Sequence, residues 1–217
     1  MKKIILLGIG LLISYNIVGQ NTSSEAKKLL DEVSNKMGAY TNMTIGFNSS
    51  LINKEAGIIN DAPIRGEITL SGEKYNLNYL GNNFIFNGDK LVVINQEEKE
   101  VTLSNGDLDD EDGFIYPSKL LTFYKEGYNF SMGKLENNNG RKVQFVDLFP
   151  IDSNSDIVKV QLGIDAKTKH IYKLVQIGAN GAETTFTIVK FKSNQPISRK
   201  LFTFDKEKYL KMGYFID

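Results

Sequence analysis

Residues able to do covalent or acid–base chemistry are scarce in this chain, which holds 217 residues with one histidine and no cysteine. His170 follows the turn Asp165 to Lys169 at a strand start. A lone imidazole supports neither a zinc centre, a Cys-His pair nor a Ser-His-acid triad. It reads as an exposed strand-edge residue. The run Asp107, Asp109, Asp110, Glu111 and Asp112 gathers carboxylates as calcium loops do. Counted from Asp107, however, the sixth position is Asp112 rather than glycine, and the twelfth is Ser118 rather than glutamate. The run therefore reads as a solvated loop that keeps nearby strand edges apart. Two acids at inward positions, as glycoside hydrolysis needs, are missing, because the acids fall on polar faces and turns. No glycine-rich phosphate loop lies between a strand and a helix. No enzymatic activity, metal or cofactor is expected.

The abundant resource is apolar surface. The chain carries 13 phenylalanines and 10 tyrosines but no tryptophan. Four Asn-Gly pairs, at Asn87-Gly88, Asn105-Gly106, Asn139-Gly140 and Asn180-Gly181, suit turns that need φ > 0 and join antiparallel strands. Between them, apolar and polar residues alternate. Ile64, Gly66, Ile68 and Leu70 oppose Arg65, Glu67, Thr69 and Ser71. Tyr75, Leu77 and Tyr79 alternate with Lys74, Asn76 and Asn78. Met43, Ile45, Phe47 and Leu51 mark an earlier strand. Phe84 with Phe86, Leu91 with Val93, and Val101 with Leu103 complete the series. Period two means a sheet with one apolar and one polar face.

A second series follows, through Tyr128, Phe130 and Met132, then Val143 and Phe145, then Val158 to Ile164. Ile171 to Ile177 and Phe186 to Phe191 are apolar on both faces, as covered strands are. Leu201 to Asp205 reads as a last short strand, with Asp205 capping a helical turn through Leu210. Ala26, Leu29, Leu30, Val33, Met37 and Tyr40 form the apolar stripe of a helix over 24–40, opened by Thr22 and Glu25 at capping-box spacing. Pro117 opens a second, short helix over 119–126. Its Leu120, Leu121, Phe123 and Tyr124 surround more of it than one core-facing stripe needs. About eleven strands are too many for a flat sheet. The expected fold is mainly β, a curled antiparallel sheet forming an incomplete, half-open barrel with a helical lid. Periodicity leaves open whether the interior is filled or hollow.

The amino terminus reads as a secretory signal over 1–20. Lys2 and Lys3 precede the short apolar core Ile4 to Ile13, with a cleavage point near Gly19 or Gln20. That core is shorter than a membrane span needs. Cleavage there would take the formal charge from +0 to −2, because Lys2 and Lys3 leave and no acid does. Neither value offers an electrostatic footprint for nucleic acid. Residues 21–217 are expected to form a single exported domain, in a periplasm or outside the cell.

With these elements in this order, the chain resembles the LolA-like family of periplasmic carriers for outer-membrane lipoproteins. The likeness rests on the signal, on Leu29-Leu30-Asp31-Glu32-Val33 in the opening helix, and on the strand order. It rests also on Tyr116-Pro117-Ser118-Lys119-Leu120-Leu121 and on the closing Leu201-Phe202-Thr203-Phe204-Asp205. The resemblance implies acceptance of acylated lipoproteins from an inner-membrane lipoprotein-release transporter. Delivery would follow to an outer-membrane acceptor or to the membrane itself. Strand parity then places Ile45, Phe47, Ile68, Leu70, Tyr75, Leu77, Phe84, Phe86, Leu91 and Val93 along an acyl-binding trough. Leu120, Leu121, Phe123 and Tyr124 would form the lid. Two family features are missing: Ser71-Gly72 stands where members carry an Arg-Pro pair that latches the lid, and the family's tryptophans are absent. The competing readings are a periplasmic protein that binds another lipid or amphiphile, and a structural β protein with a filled core.

Overall fold

The computed structural model describes residues 17–59, 62–106, 119, 121–138 and 140–217, with side chains from residue 23 onward. Most of the signal segment, the acidic run 107–112, the 116–118 turn and Leu120 lie outside the described residues. One helix, α1 (Ile17–Gly38), precedes the sheet. The first strands are β1 (Met43–Ile52), β2 (Ile64–Ser71), β3 (Lys74–Tyr79), β4 (Asn82–Phe86), β5 (Lys90–Asn95) and β6 (Glu100–Asn105). After a 3-10 turn at Phe123–Lys125 come β7 (Tyr128–Asn138), β8 (Arg141–Pro150), β9 (Ile157–Asp165), β10 (Ile171–Gly178) and β11 (Glu183–Ser193). A second 3-10 turn (Arg199–Phe202), the short helix α2 (Lys206–Lys211) and the two-residue strand β12 (Phe215–Ile216) close the chain.

All strands join one sheet in the order β12-β6-β5-β4-β3-β2-β1-β11-β10-β9-β8-β7. Two meanders meet where β1 pairs with β11. Every pairing is antiparallel except that of β12 with β6. The outer strands β7 and β12 do not pair with each other, so the curl stays open: the fold is a half-open barrel with a helical cover. The chain crosses from β6, near one edge, to β7 at the other, and the Phe123–Lys125 turn lies on that crossing segment.

Strand parity becomes rows of side chains across the sheet. Met43, Leu70, Tyr75, Phe86 and Leu91 are successive cross-strand partners, and so are Ile45, Ile68, Leu77, Phe84 and Val93. Both rows belong to one apolar cluster with Ala26, Leu29, Leu30, Val33 and Met37 of α1. A β-bulge between Gly46 and Phe47 turns β1 against β11 and leaves Val189 without a cross-strand partner there.

The helices differ from the expected ones. α1 starts at Ile17, so Thr22 lies inside it rather than capping it. No proline interrupts the preceding residues, and a helix once formed propagates at little cost. Of the segment expected as a helix over 119–126, the described residues 121–126 hold the 3-10 turn Phe123–Lys125, in which Tyr124 is buried, and no α-helical turn.

Leu201 to Asp205 is not a strand. Ser198 Oγ accepts from Lys200 N and starts the 3-10 turn there instead. The expected cap at Asp205 is present, its carboxylate accepting from Lys208 N. The hairpin at Asn87-Gly88 reaches φ > 0 at the glycine only. Asn87 uses its side-chain oxygen, which accepts from the N–H groups of Asp89 and Lys90.

Alternation holds least well over β4 to β6. Ile85, Val92, Ile94 and Val101 point away from the main cluster and form a second one. Phe204, Tyr209, Tyr214 and Ile216 of the carboxyl-terminal segment cover it. Val101, expected on the same face as the trough residues, is therefore buried on the outer face, and Leu103 is 42% exposed.

Candidate functional site: the concave trough

The trough residues are strand residues held by the ladders, so their spacing is set by backbone pairing rather than by loops. All ten predicted lining residues belong to the concave cluster or pack against it. Their burial is graded along the strands. In the row nearest the carboxyl end of α1, Met43, Leu70, Tyr75, Phe86 and Leu91 are all buried. In the next row Ile45, Ile68 and Leu77 are buried, whereas Phe84 and Val93 are half-buried. One step further, Phe47 and Tyr79 are half-buried, and beyond them Ile64 and Leu51 are 44% and 40% exposed.

The half-buried end has a defined geometry. Phe47, Tyr79 and Phe186 form a three-ring group, with centroids 5.5 Å, 5.7 Å and 6.3 Å apart. Such tilted and edge contacts are favourable ring arrangements. Phe47 lies across Gly66 of the neighbouring strand, where a Cβ would stand 2.2 Å from its Cζ. Glycine at 66 thus leaves room for the ring on the sheet. The Tyr79 hydroxyl and Ser49 Oγ lie 2.8 Å apart, which gives the only polar tip of this ring group a partner. On the far flank Tyr128, Phe130 and Met132 of β7 are half-buried, and Phe123 packs edge-on against Tyr128 at 5.6 Å. Burial pushes the Tyr128 phenol above its ordinary range.

α1 finishes the closed end. Its stripe is buried, and its exit packs Tyr40 against His170 and Phe191. The Tyr40 hydroxyl lies 2.9 Å from His170 Nε2. His170 is thus half-buried rather than exposed, because the loop after α1 folds over the start of β10. Burial and the nearby Lys36 lower its pKa, and Asp165 partly opposes them.

The crossing segment is tied to the same helix. The Tyr124 hydroxyl donates to Asp31 Oδ1 at 3.1 Å, while Lys27 Nζ contacts Asp31 Oδ2 at 2.6 Å. Lys27 holds the Asp31 carboxyl below its usual range, and burial raises the Tyr124 phenol. Ser71, at the position where the resemblance expects a latching arginine, donates from its hydroxyl to the Thr41 carbonyl at 3.1 Å.

Of the four predicted lid residues, Leu120 is outside the described set. Tyr124 is buried in the concave cluster, and Leu121 and Phe123 pack partly exposed against it. Among the described residues, α1 adds Ala26, Leu29, Leu30, Val33 and Met37 to the same cluster. Alternation assigns Phe186 only to a covered strand, yet it completes the ring group. Its parity is obscured because β11 is apolar on both faces and carries the bulge.

The apolar concave face is thus buried at one end and half-covered at the other. Among the described residues no three His, Cys, Asp or Glu side chains are grouped to hold a metal ion. No described helix is long and apolar enough to cross a membrane. The family described as outer membrane lipoprotein carrier protein LolA matches residues 78–205, and the chain belongs to that family. No curated protein matches the sequence.

Among solved structures, an uncharacterized conserved protein from Thermus thermophilus is similar over 89% of this chain and 98% of its own, at 9% identity and a TM-score of 0.58. A LolA superfamily protein from Nitrosomonas europaea aligns over 83% of this chain and 98% of its own, at 11% identity and a TM-score of 0.44. A putative outer membrane lipoprotein-sorting protein domain from Vibrio parahaemolyticus aligns over 85% and 99%, at 15% identity and a TM-score of 0.43.

Proposed function

We propose that the protein is a periplasmic carrier that takes up the acyl chains of lipoproteins and ferries them from the inner to the outer membrane. Family membership supports this reading, and one observation carries it: the gradient from a buried to a half-buried row along the concave face. Each acyl methylene left in water costs about 0.8 kcal/mol, so a lipoprotein with three chains of about fifteen methylenes needs a dry host. A host without fuel must also let go. Burial against apolar walls is non-directional, so hydrocarbon transfers to a membrane or acceptor at little net cost.

The α1 stripe holds the place of cargo at the closed end. The first methylenes meet the Phe47, Tyr79 and Phe186 rings and the half-buried Phe84 and Val93. Full loading displaces α1 together with the crossing segment that Tyr124 ties to Asp31. The donor would be an inner-membrane lipoprotein-release transporter, and the carrier a monomer.

The decisive experiment places a photoreactive residue at position 47 or 84 and, as controls, at outward positions 65 and 67, then exposes each protein to a triacylated lipoprotein. Labelling from 47 and 84 well above that from 65 and 67 is expected. Equal labelling at all four positions sinks the carrier reading.

A second reading has its own support. Because the protein's own side chains fill the closed end, a single-chain amphiphile fits the open end without moving α1. Native mass spectrometry with a panel of free lipids and a lipoprotein separates the two. Tight single-chain binding with the lipoprotein ignored favours the smaller ligand.

A further inference from the structure

A cleft of about 970 Å³ lies on the convex side of the sheet, away from the trough. Its walls are the β2–β3 turn, the β4–β5 turn, the end of β6 and the 3-10 turn Arg199–Phe202. The floor is apolar: Val92 and Phe204 belong to the outer cluster, and Phe202 is buried beside them. The rim is cationic. Lys74, Lys90 and Arg199 line the cleft, and among the described residues no acidic side chain does. All three are exposed, and none forms an ion pair among the described residues. Three exposed cations without a described ion pair thus line one apolar hollow.

The walls are also pre-set. Asn87 holds the β4–β5 turn through the Asp89 and Lys90 amides. The side chain of Asn76 donates to the Leu201 carbonyl at 2.8 Å and pins the 3-10 turn to β3. Ser198 caps the same turn. A hollow of this volume is in the range of small-molecule sites and is too large to be filled by a bare anion. Its charge selects a negative head, and its floor selects a hydrocarbon stub behind that head. Arginine and lysine together suit phosphate, the arginine by paired N–H donors and the lysines as point charges.

We infer that the convex cleft binds a phosphate-headed amphiphile, with the phosphate held among Lys74, Lys90 and Arg199 and the first part of its apolar body laid on Val92, Phe202 and Phe204. The site is separate from the acyl trough, so its fate does not depend on the carrier reading. A lipid headgroup and free phosphate share this head chemistry, and the floor favours the lipid.

The test uses the full chain and monomeric short-chain lipids, with backbone amide NMR to report both position and affinity. Dihexanoyl phosphatidylglycerol is expected to shift amides in 71–74, 87–92 and 197–204. Its binding should be at least tenfold tighter than that of inorganic phosphate or of the uncharged detergent octyl glucoside. The combined variant Lys74→Gln, Lys90→Gln and Arg199→Gln should weaken it at least tenfold. Those side chains are exposed, so the fold should survive, and an unchanged amide spectrum elsewhere checks this. Leu103→Gln, at the apolar rim, should weaken the lipid several-fold and leave phosphate unaffected. Raising the salt from low to about 0.5 M should weaken the native protein and not the triple variant.

Several outcomes overturn the inference. Shifts confined to concave positions such as 47 and 84 would assign the lipid to the trough. Inorganic phosphate binding as tightly as the lipid would remove the amphiphile. Binding that emerges only after the acids of 107–112 are replaced by amides would assign the cations to that run.

Discussion

The two ends of the trough are made by the same strands and differ in what finishes them. At one end the row from Met43 to Leu91 is buried in one cluster with Leu29, Leu30, Val33 and Met37 of α1. At the other end the strands run on past their cover, and Phe47, Tyr79 and Phe186 complete the surface with one another. The first end is core in the ordinary sense, where each removed methylene leaves a void. The second keeps apolar surface partly wet, which is costly for stability and useful for a ligand. Sequence types do not separate the two ends, since Phe86 and Phe84 lie two residues apart on one strand. Position along the strands does.

This difference predicts opposite responses to truncation. Leu30→Ala, at a residue 1% exposed, should destabilise the protein by about 2–5 kcal/mol in denaturant melts. Phe47→Ala together with Phe186→Ala should cost less stability for the same or greater loss of volume, because both rings already touch water. The pair should weaken binding of an acyl probe about tenfold, a change of about 1.4 kcal/mol. If the ring pair destabilised the fold as much as Leu30→Ala does, the open end would be core and the contrast would fail.

A finer test lies at Gly66. A methyl group there would stand 2.2 Å from Phe47 Cζ, so the ring must leave its place on the sheet. Gly66→Ala should cost about 1–3 kcal/mol by overpacking. The same change in a Phe47→Ala background should cost much less, since the obstructing ring is gone. Such non-additivity is the signature of a direct contact. Additive losses would show that Gly66 serves the strand rather than the ring.

The tie between helix and crossing segment is weaker. Tyr124→Phe removes the hydroxyl that donates to Asp31 and should cost about 1 kcal/mol, because Asp31 stays partly exposed and keeps Lys27. The same substitution should speed hydrogen exchange of α1 amides more than of β8 amides. Equal protection changes in both elements would mean that Tyr124 acts through packing alone.

The concave rows are legible in the sequence because period-two alternation survives wherever one face is wet. Ile68 and Leu70, or Leu77 and Tyr75, have polar neighbours that declare the outward side. The outer cluster is not legible, for the converse reason. Ile85 sits between Phe84 and Phe86, and Val92 and Ile94 flank Val93. Where both faces are apolar, alternation carries no information about which partner covers which face. The cover itself is Phe204, Tyr209 and Tyr214, more than a hundred residues away in sequence. The lid differs in another way. A short run rich in large apolar residues reads as helix, but its described residues 121–126 hold a 3-10 turn in which Tyr124 bonds to Asp31 of α1. Phe47 owes its half-buried place to Tyr79, Phe186 and Gly66, which are distant in sequence, and no property of Phe47 encodes that.

The smallest effect is expected from the closed end's only imidazole, and it follows from the burial that separates the two ends. His170 is faced by Tyr40 and Lys36 from α1 and the loop after it, by Asp165 from β9, and by the Phe191 ring at 4.3 Å. Burial first and Lys36 second lower its pKa, and Asp165 partly offsets them. A lowered pKa means that the folded protein prefers the neutral ring, which can accept from the Tyr40 hydroxyl. The unfolded chain takes up a proton as pH falls below about 6.5, and the folded protein does so only at lower pH. The stability this residue contributes is therefore complete above about pH 6.5 and is lost as pH falls from there through the folded value. Denaturation midpoints should decline across that window in the native protein, and His170→Phe, which keeps a ring against Phe191, should remove that part of the decline. Asp31 and Asp165, whose carboxyl groups are held low, begin to lose their contribution only as pH falls into the usual carboxylate range, so that loss starts at lower pH than the histidine's. A decline of unchanged size in His170→Phe would show that the α1 end is not guarded by this ring, and would leave packing alone to distinguish it from the open end.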